Sequence, residues 1–428
     1  MKKYRLVFFC LACLGGNVVA QKEYKIEAKE VERIERVLSA DDMEGRRPFT
    51  KGIDKAADFI SAEFKAAGLQ TLPGASGFRQ SFDMVRATVK QMTAKADNEE
   101  LKSGSQVAVL SASEDLRVTE ASGYEVMEIK AGGNLNTEAN KLIALKKNLV
   151  VIVDTSYSRN FPQLTRMSSR FFKSDKSVAF LLTTKKPSTY SISVQQDIVL
   201  SPLANVVGII PGKSKKNEYV IFSGHYDHLG IGKALNGDSI FNGANDDAAG
   251  TTAVIMLAKY FKKLANNERT LVFATFTAEE SGGFGARYFS QQFDPAAVMA
   301  MFNIEMIGTD SKWGKNSAYI TGYEKTDMGK ILGKNLEGTE FKFYPDPYTD
   351  QNLFYRSDNA TLARLGVPAH TISTSKMDSE KFYHTVDDEI ETLDMNNMAM
   401  IIKAIAKSSA SIISGKDTPS RVDTSTLR

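Results

Sequence analysis

Residues 269–282 read RTLVFATFTAEESG, an apolar run that ends in two adjacent carboxylates, Glu279 and Glu280. A short apolar run of this kind predicts a strand that is buried on both faces, as in a parallel sheet. Two neighbouring carboxylates at the tip of such a strand repel each other and lose hydration. Acids in a solvated surface turn would need no functional explanation. Whether these two acids form a surface turn or part of a functional site therefore depends on the motifs in the rest of the chain.

Beyond residue 202 the chain alternates between predicted strands and helices. The runs EYVIFSG, TLVFATF, AVMAMFNI and GVPAHTIST predict strands, and TTAVIMLAKYFKKLA predicts a helix. This alternation predicts an α/β fold with a mostly parallel central sheet flanked by helices. Ligands of such sheets bind beyond the carboxyl ends of the strands, so the residues that follow each run are candidates for a site.

The groups that follow these runs, or precede the predicted helix, are all carboxylates or imidazoles: His225, Asp246, Asp247, Glu279, Glu280, Glu305 and His384. A single histidine is more often structural than a ligand. Convergence of the whole set at one sheet edge favours a metal site instead. Oxygen and imidazole ligands without sulfur suit catalytic zinc, and several carboxylates suit two ions rather than one.

The first part of the chain has a different pattern. Two amphipathic helices are predicted within residues 30–45 and 55–68, before the alternation of strands and helices begins. Between about 88 and 203, Lys-rich and Ser-rich stretches separate short apolar runs, QVAVL, NLVVIV and SVAFLL, which predict strands. This segment contains no histidine. It predicts a smaller inserted β-rich lobe with a structural or substrate-shaping role.

Residues 1–20 have the pattern of a secretory signal peptide, with basic residues, a short apolar run and then small residues. The apolar run is too short to span a bilayer, and cleavage is expected after Ala20. Both cysteines, Cys10 and Cys13, lie in this segment, so the mature chain would use nitrogen and oxygen ligands for any metal. Export to the periplasm or beyond the cell is expected. Lipidation at Cys13 is a less favoured alternative, because the residues before it match a lipidation signal poorly.

The charge balance bears on possible partners. Residues 1–20 hold three of the 54 basic residues and none of the 51 acidic ones, so the rest of the chain carries 51 of each. A neutral chain without a basic run gives no support for binding to nucleic acid or to an anionic membrane. The oligomeric state is left open by the sequence.

Five motifs, HYD, NDD, AEE, NIEMIG and YHT, occur in this order. They resemble the co-catalytic zinc aminopeptidases, whose relatives include glutamate carboxypeptidases, glutaminyl cyclases and the transferrin receptor. The resemblance covers residues 28–84 and 204–410, with a looser similarity to a protease-associated lobe between them. It implies a division into a signal peptide (1–20), the N-terminal part of the peptidase domain (21–87), the inserted lobe (88–203), the zinc peptidase core (204–415) and a tail (416–428).

The resemblance also implies a ligand set for two zinc ions. One ion would be held by His225 and Glu305, and the other by Glu280 and His384. Asp246 would bridge them, since a carboxylate with two oxygens can span metals that are roughly 3.5–4 Å apart.

Four further roles are implied by the resemblance. Glu279 would stay unligated and act as general base, which would explain why two acids stand side by side. Asp227 would hold the imidazole of His225 in place. Asp247 would keep the metal-binding loop in shape, and the peptide bond before it is often cis in the family. Tyr383 would contact the developing oxyanion, although a simple packing role is equally favoured.

The chain departs from the family pattern at two places. Glu305 stands where many relatives have Asp, and the longer side chain could change the metal distance or favour a single ion. The sequence SDN at 357–359 replaces a common SDH, so no role is carried over there. His228 and His370 have no ligand role in the matched pattern, and both are expected to line the pocket or to be structural.

The function that the resemblance implies is an exported zinc exopeptidase, with an aminopeptidase favoured. Its partner would be a peptide substrate, from which it hydrolyses N-terminal residues through a hydroxide held by two zinc ions. Alternatives within the family are a carboxypeptidase or dipeptidase and a single-zinc glutaminyl cyclase that transfers acyl groups. The complete ligand set favours a site with two metal ions over the single-zinc site of a cyclase. It also disfavours a non-enzymatic binding protein of the receptor branch, in which ligands are lost.

Overall fold

The computed structural model describes residues 25–427. The predicted signal peptide and both cysteines therefore lie outside the described residues. Within the described part, every helix is too short or too polar to cross a membrane.

The described chain contains ten α-helices. They are α1 (Ala28–Leu38), α2 (Lys51–Ala67), α3 (Leu135–Ala144), α4 (Pro162–Ser169), α5 (Ala249–Leu264), α6 (Phe284–Ser290), α7 (Met328–Asn335), α8 (Asn359–Ala363), α9 (Met395–Ser408) and α10 (Ala410–Ile413). The two helices predicted near the start of the chain form as α1 and α2. Helix α2 ends at Gly68, whose φ of 78° is the left-handed conformation that glycine adopts without steric cost.

The same residues contain seventeen strands in three sheets. They are β1 (Arg79–Ala96), β2 (Glu99–Glu100), β3 (Val107–Leu110), β4 (Asp115–Thr119), β5 (Glu125–Ile129), β6 (Leu149–Val153), β7 (Arg170–Phe172), β8 (Val178–Leu182), β9 (Tyr190–Ile210), β10 (Lys215–His225), β11 (Gly230–Leu235), β12 (Asp238–Phe241), β13 (Arg269–Phe276), β14 (Val298–Ile304), β15 (Ser317–Ile320), β16 (Lys342–Pro345) and β17 (Ala369–Ser373).

The main sheet has eleven strands, in the order β16-β15-β17-β14-β10-β13-β9-β1-β2, with β4 and β7 paired to β9 and β1. Its centre, β13-β10-β14-β17, is parallel throughout. These four strands are the four apolar runs beyond residue 202, so the predicted α/β fold with a parallel central sheet is confirmed. The strands at both sides of this centre, β9 and β15, pair antiparallel to it.

Both faces of the central sheet are buried, which explains why its strands are continuous apolar runs rather than alternating ones. Phe222, Phe273 and Phe302 come from three adjacent strands and stack on one face, with ring centroids 4.9–5.6 Å apart. That face packs against α1, α2, α5, α7 and α9. The residues one position earlier in each strand face α6 and α8 on the other side.

A second sheet, β3-β8-β6-β5, contains the three apolar runs predicted within residues 88–203. One of its faces is covered by α3 and α4, and the other packs against the distal halves of β1 and β9 and against β4. Strands β1 and β9 pair from Arg79–Val206 to Ala96–Tyr190 and so run from the main sheet to this layer. The predicted boundaries at 88 and 203 fall within these two strands, and the division into domains stays a prediction.

Helix α1 buries a carboxyl group in the core. The side chain of Glu35 is fully buried, and its Oε2 accepts a hydrogen bond of 2.8 Å from the hydroxyl of Thr252. Burial raises its pKa from 4.5 to about 8; the hydrogen bond from Thr252 and the charge of Arg46 oppose this shift, and the charge of Asp388 adds to it. Glu35 therefore keeps its proton in the folded protein at pH values where the unfolded chain has lost it.

We expect Glu35→Gln to flatten the dependence of stability on pH. Between pH 4.5 and 8 the folded wild type binds one more proton than the unfolded chain, so its free energy of unfolding falls by up to about 1.4 kcal/mol per pH unit from this group. The variant lacks this contribution, and its advantage over wild type should grow as pH rises. Denaturant unfolding from pH 5 to 8.5 measures it, with the exposed Glu337→Gln as control. Parallel pH profiles for Glu35→Gln and wild type would contradict the prediction.

Candidate metal centre

The carboxyl ends of the parallel strands bring the predicted site residues to one edge of the sheet. His225 is the last residue of β10, in register with Phe276 at the end of β13, so Glu279 and Glu280 follow at the same level. Glu305 follows the last residue of β14. His384 comes from the loop beyond β17, with a left-handed φ of 58°. The edge therefore collects side chains from three strands and a loop.

Asp246 lies at the centre of this cluster, in the turn before α5. Its Oδ1 is 3.2 Å from Nε2 of His225, and its Oδ2 is 3.2 Å from Nε2 of His384. Nε2 of His384 is also 3.1 Å from Oε1 of Glu280. Ligand atoms around a tetrahedral zinc ion lie roughly 3.3 Å apart, given bonds of about 2.0–2.1 Å. The observed separations therefore match those of ligands that share an ion.

Two groups of side chains could hold a metal, and both include Asp246. The first consists of His225, Asp246 and Glu305, the second of His228, Asp246 and Glu280, and the candidate ligand atoms of each group lie within 4.8 Å of one another. Within residues 25–427, Oε2 of Glu305 is buried without a hydrogen-bond partner, and the polar neighbour of the buried Nε2 of His225 is Oδ1 of Asp246 at 3.2 Å. Since buried polar atoms normally have partners, these atoms fit a site that a cation completes.

Asp247 organises the loop rather than facing the cluster. Its carboxylate accepts hydrogen bonds from the backbone amides of His225, Gly250 and Met306, at 3.0–3.1 Å. The carboxylate thereby joins β10, α5 and the end of β14. The peptide bond between Asp246 and Asp247 is cis, as the resemblance implied.

Two other buried charged residues hold the same loops. Asp388 accepts hydrogen bonds from the backbone amides of Asn245 and Asp246, at 2.8 and 3.0 Å. The guanidinium group of Arg46 is fully buried and donates only to backbone carbonyls, at 2.6–2.9 Å. These carbonyls belong to Leu38, Tyr226, Asn242 and Gly243. Arg46 therefore connects the segments that follow β10 and precede Asp246.

The two predicted neighbours of the ligands, Glu279 and Asp227, contact each other. The backbone amide of Glu279 donates to Oδ1 of Asp227 at 3.0 Å. Nδ1 of His225 is 3.1 Å from the backbone oxygen of Asp227 and 3.8 Å from its carboxylate. The group nearest to the imidazole is thus the carbonyl of Asp227, because its carboxylate is turned toward Glu279.

The electrostatics around Glu279 are those of a crowded acidic site. Burial raises the pKa of its carboxyl group well above the ordinary value; the nearby His225 opposes the shift, and the carboxylates of Asp358, Glu305 and Glu280 add to it. A bound cation reverses this balance, because its charge favours ionised carboxylates around it.

Tyr383 stacks on the imidazole of His384, with ring centroids 3.9 Å apart and planes inclined by 20°. It also lines a cavity of about 70 Å³ together with Glu305, Arg356 and Met377. Burial raises the pKa of its hydroxyl, which therefore stays protonated and able to donate a hydrogen bond. The stacking agrees with a packing role, and Tyr383 lines the same cavity as Glu305.

Two residues that were not predicted to be ligands or catalytic groups, His228 and Asp358, lie in the cluster. Nδ1 of His228 is 3.0 Å from Oε1 of Glu280. Asp358 is buried, its carboxylate has no hydrogen-bond partner among the described residues, and burial raises its pKa to about 8. By contrast, both ring nitrogens of His370 lie 2.8 Å from a threonine hydroxyl or a backbone oxygen. The one available signal was that His228 follows the same strand as His225, three residues later.

Fold and site together define an α/β protein with a buried cluster of carboxylates and imidazoles beyond the ends of its parallel strands. Residues 205–409 match the sequence profile of peptidase family M28. This match, over slightly less than half of the chain, confirms the resemblance that the five motifs indicated.

Curated relatives that are similar to this chain are consistent with the family match. The chain is 28% identical over 203 residues to a probable leucine aminopeptidase of Trichophyton verrucosum, covering 45% of this chain and 53% of the relative. It is 26% identical over 270 residues to leucine aminopeptidase 1 of Ajellomyces dermatitidis, covering 56% and 66%. The matches thus span about half to two thirds of the length of these curated relatives.

The fold is similar to that of solved aminopeptidases. An aminopeptidase from Aneurinibacillus aligns with a TM-score of 0.53 and 17% identity, covering 92% of this chain and 95% of that one. A zinc aminopeptidase from Bacillus subtilis aligns with a TM-score of 0.53 and 14% identity, covering 93% and 98%. At such identities the likeness extends to the fold, and the chemistry has to be argued from the site.

Proposed function

We propose that this protein is a zinc-dependent aminopeptidase whose site holds two zinc ions. The observation that carries the proposal is the position of Asp246, whose two oxygens each lie 3.2 Å from the imidazole of a different histidine, His225 and His384. A carboxylate placed in this way can bridge two ions, whereas a single ion would need only one of its oxygens.

The ligands fall on the two sides of Asp246. His225 and Glu305 would hold one zinc ion, and Glu280 and His384 the other, with Asp246 shared between them. Bound zinc supplies Lewis acidity, which lowers the pKa of a water molecule and polarises a peptide carbonyl. The longer side chain of Glu305 does not exclude it from the first group, since its ligand atom lies within 4.8 Å of those of His225 and Asp246.

Glu279 would move the proton. Its carboxylate would accept a proton from the attacking water and pass it to the nitrogen of the leaving amine, so that one residue serves both steps of hydrolysis. The hydroxyl of Tyr383, which stays protonated, would donate a hydrogen bond to the substrate carbonyl as negative charge develops on its oxygen. The backbone amide of Glu279 is fixed by Asp227, which limits where the base can point.

Two observations support an aminopeptidase over other activities of the family. The curated relatives are named leucine aminopeptidases. The bridging position of Asp246 favours two ions, whereas the alternative of a glutaminyl cyclase would use one. We further propose that residues 1–20 direct export, because of their charge and hydropathy pattern.

Metal removal tests the proposal. We expect about two zinc ions per chain in the purified protein, and release of unblocked N-terminal residues from peptides that is lost on chelation and restored by zinc. Elemental analysis and a panel of free, N-blocked and Gln-initiated peptides measure both. One zinc ion per chain, or activity restricted to blocked or Gln-initiated peptides, would contradict it and favour the carboxypeptidase or cyclase alternative.

A further inference from the structure

The strongest unexplained feature of the cluster is His228. Its side chain is fully buried, and within the described residues neither ring nitrogen has a hydrogen-bond partner. Nδ1 nevertheless lies 3.0 Å from Oε1 of Glu280 and 3.9 Å from Oδ2 of Asp246. Because Nδ1 lies this close to a carboxylate without a well-formed hydrogen bond, and Nε2 has no partner among the described residues, the position of this buried imidazole calls for an explanation.

The position of this ring is fixed by its surroundings. The backbone amide of His228 donates to the backbone oxygen of Arg46 at 3.4 Å. The ring packs so closely on Gly243 that a Cβ atom there would lie 2.5 Å from it. Gly243 belongs to the loop that presents Asp246, and the side chain of Arg46 donates to the backbone oxygens of Tyr226 and Gly243. The ring is therefore held against the cluster by this loop and by the segment that supports it.

The geometry fits a shared ion. The imidazoles of His228 and His384 each lie near the carboxylates of both Glu280 and Asp246. The N···O separations of these four pairs are 3.0–3.9 Å. The two rings have centroids 5.6 Å apart and planes inclined by 68°. Two imidazoles on one tetrahedral ion would have centroids roughly 5 Å apart. The observed separation of the two rings is close to this value.

We propose that Nδ1 of His228 is the fourth protein ligand of the metal ion bound by Asp246, Glu280 and His384. The inference rests on the proposed zinc centre and goes beyond it, because it makes the two subsites unequal. Four protein ligands close a tetrahedral site, whereas three leave a position open. The His228 subsite would thus hold its ion without a free position. The subsite of His225, Asp246 and Glu305 would keep the open position for water and substrate.

Zinc binding to the full mature chain tests whether the two subsites differ in affinity. In wild type we expect one ion to be held more tightly than the other in competition with a chromophoric chelator. In His228→Ala the tight ion should lose affinity by more than about 100-fold, the upper range for removal of a group that only orients a ligand. The visible spectrum of the Co²⁺-substituted protein should change as well, because it reports the ligands of the ion. His370→Ala, which removes a buried histidine outside the cluster, is the matched control and should bind both ions as wild type does.

A structural measurement keeps the test independent of how the variant folds. In crystals of zinc-loaded wild type, anomalous scattering should place one zinc ion about 2.0–2.1 Å from Nδ1 of His228. Two zinc ions with His228 beyond 3 Å from both would overturn this inference and leave the proposed function intact. An unchanged affinity and Co²⁺ spectrum in His228→Ala would overturn it too. Failure of the wild type to bind zinc at all would overturn the proposed function itself.

Discussion

Replacing Glu279 with Gln is expected to lower peptide hydrolysis by about 10²- to 10⁴-fold or more, while zinc content and fold stay as in wild type. The amide keeps the size of the side chain but cannot accept a proton from water. The loss reaches the upper end of this range when the same group also protonates the leaving amine. Turnover of an unblocked peptide, measured beside elemental analysis of the same sample, gives both numbers.

The two adjacent acids offer an internal comparison. Glu280→Gln removes a proposed ligand, so it should lose zinc as well as activity, whereas Glu279→Gln should lose activity alone. The exposed Glu337→Gln controls for the change in charge and should leave both unchanged. Near-normal turnover in Glu279→Gln would exclude the residue as base, and loss of zinc in that variant would make it a ligand instead.

The central sheet could be predicted from the sequence because parallel strands are buried on both faces. Strands β10, β13, β14 and β17 are therefore continuous apolar runs, and each neighbouring loop could be searched for chemistry. The long antiparallel pair of β1 and β9 could not be foreseen in this way. This pair runs from the main sheet to the second sheet. The composition of the chain changes near residues 88 and 203, and nothing in the sequence indicates that a strand continues across either boundary.

The candidate ligands could be named because they follow the strands in sequence, but the residues that position them could not. Arg46 donates to carbonyls 180, 196 and 197 residues further along the chain, and a backbone carbonyl carries no sequence signal. Asp388 reaches backbone amides in the same manner, 142 and 143 residues away. His228 lies outside the family pattern, and only its contacts in the folded protein, with Glu280, Asp246 and His384, place it in the cluster.

Among the proposed substitutions, Arg46→Ala is expected to lower the free energy of unfolding the most. It removes a fully buried cation, leaves four buried carbonyls without their donor, and removes a positive charge that lies near the buried carboxylate of Asp388. Removing one partner from a buried charged network typically costs about 3–5 kcal/mol. Denaturant unfolding of the chelated protein measures this cost without any contribution from metal binding.

Arg79→Ala provides the matched control, because Arg79 pairs with Asp54 and Asp58 at a partly exposed position and should cost about 1 kcal/mol or less. If Arg46→Ala unfolded as readily as Arg79→Ala, the buried guanidinium group would not be a main support of these loops. Zinc affinity of the folded variant supplies a second measure. Since the carbonyls that Arg46 holds belong to the segments carrying His225 and Asp246, we expect affinity to fall by about 10- to 100-fold, as for other groups that orient ligands without touching the ion. Stability and metal binding would then depend on one side chain for the same reason, because the loops that close the core at this edge are the loops that present the ligands.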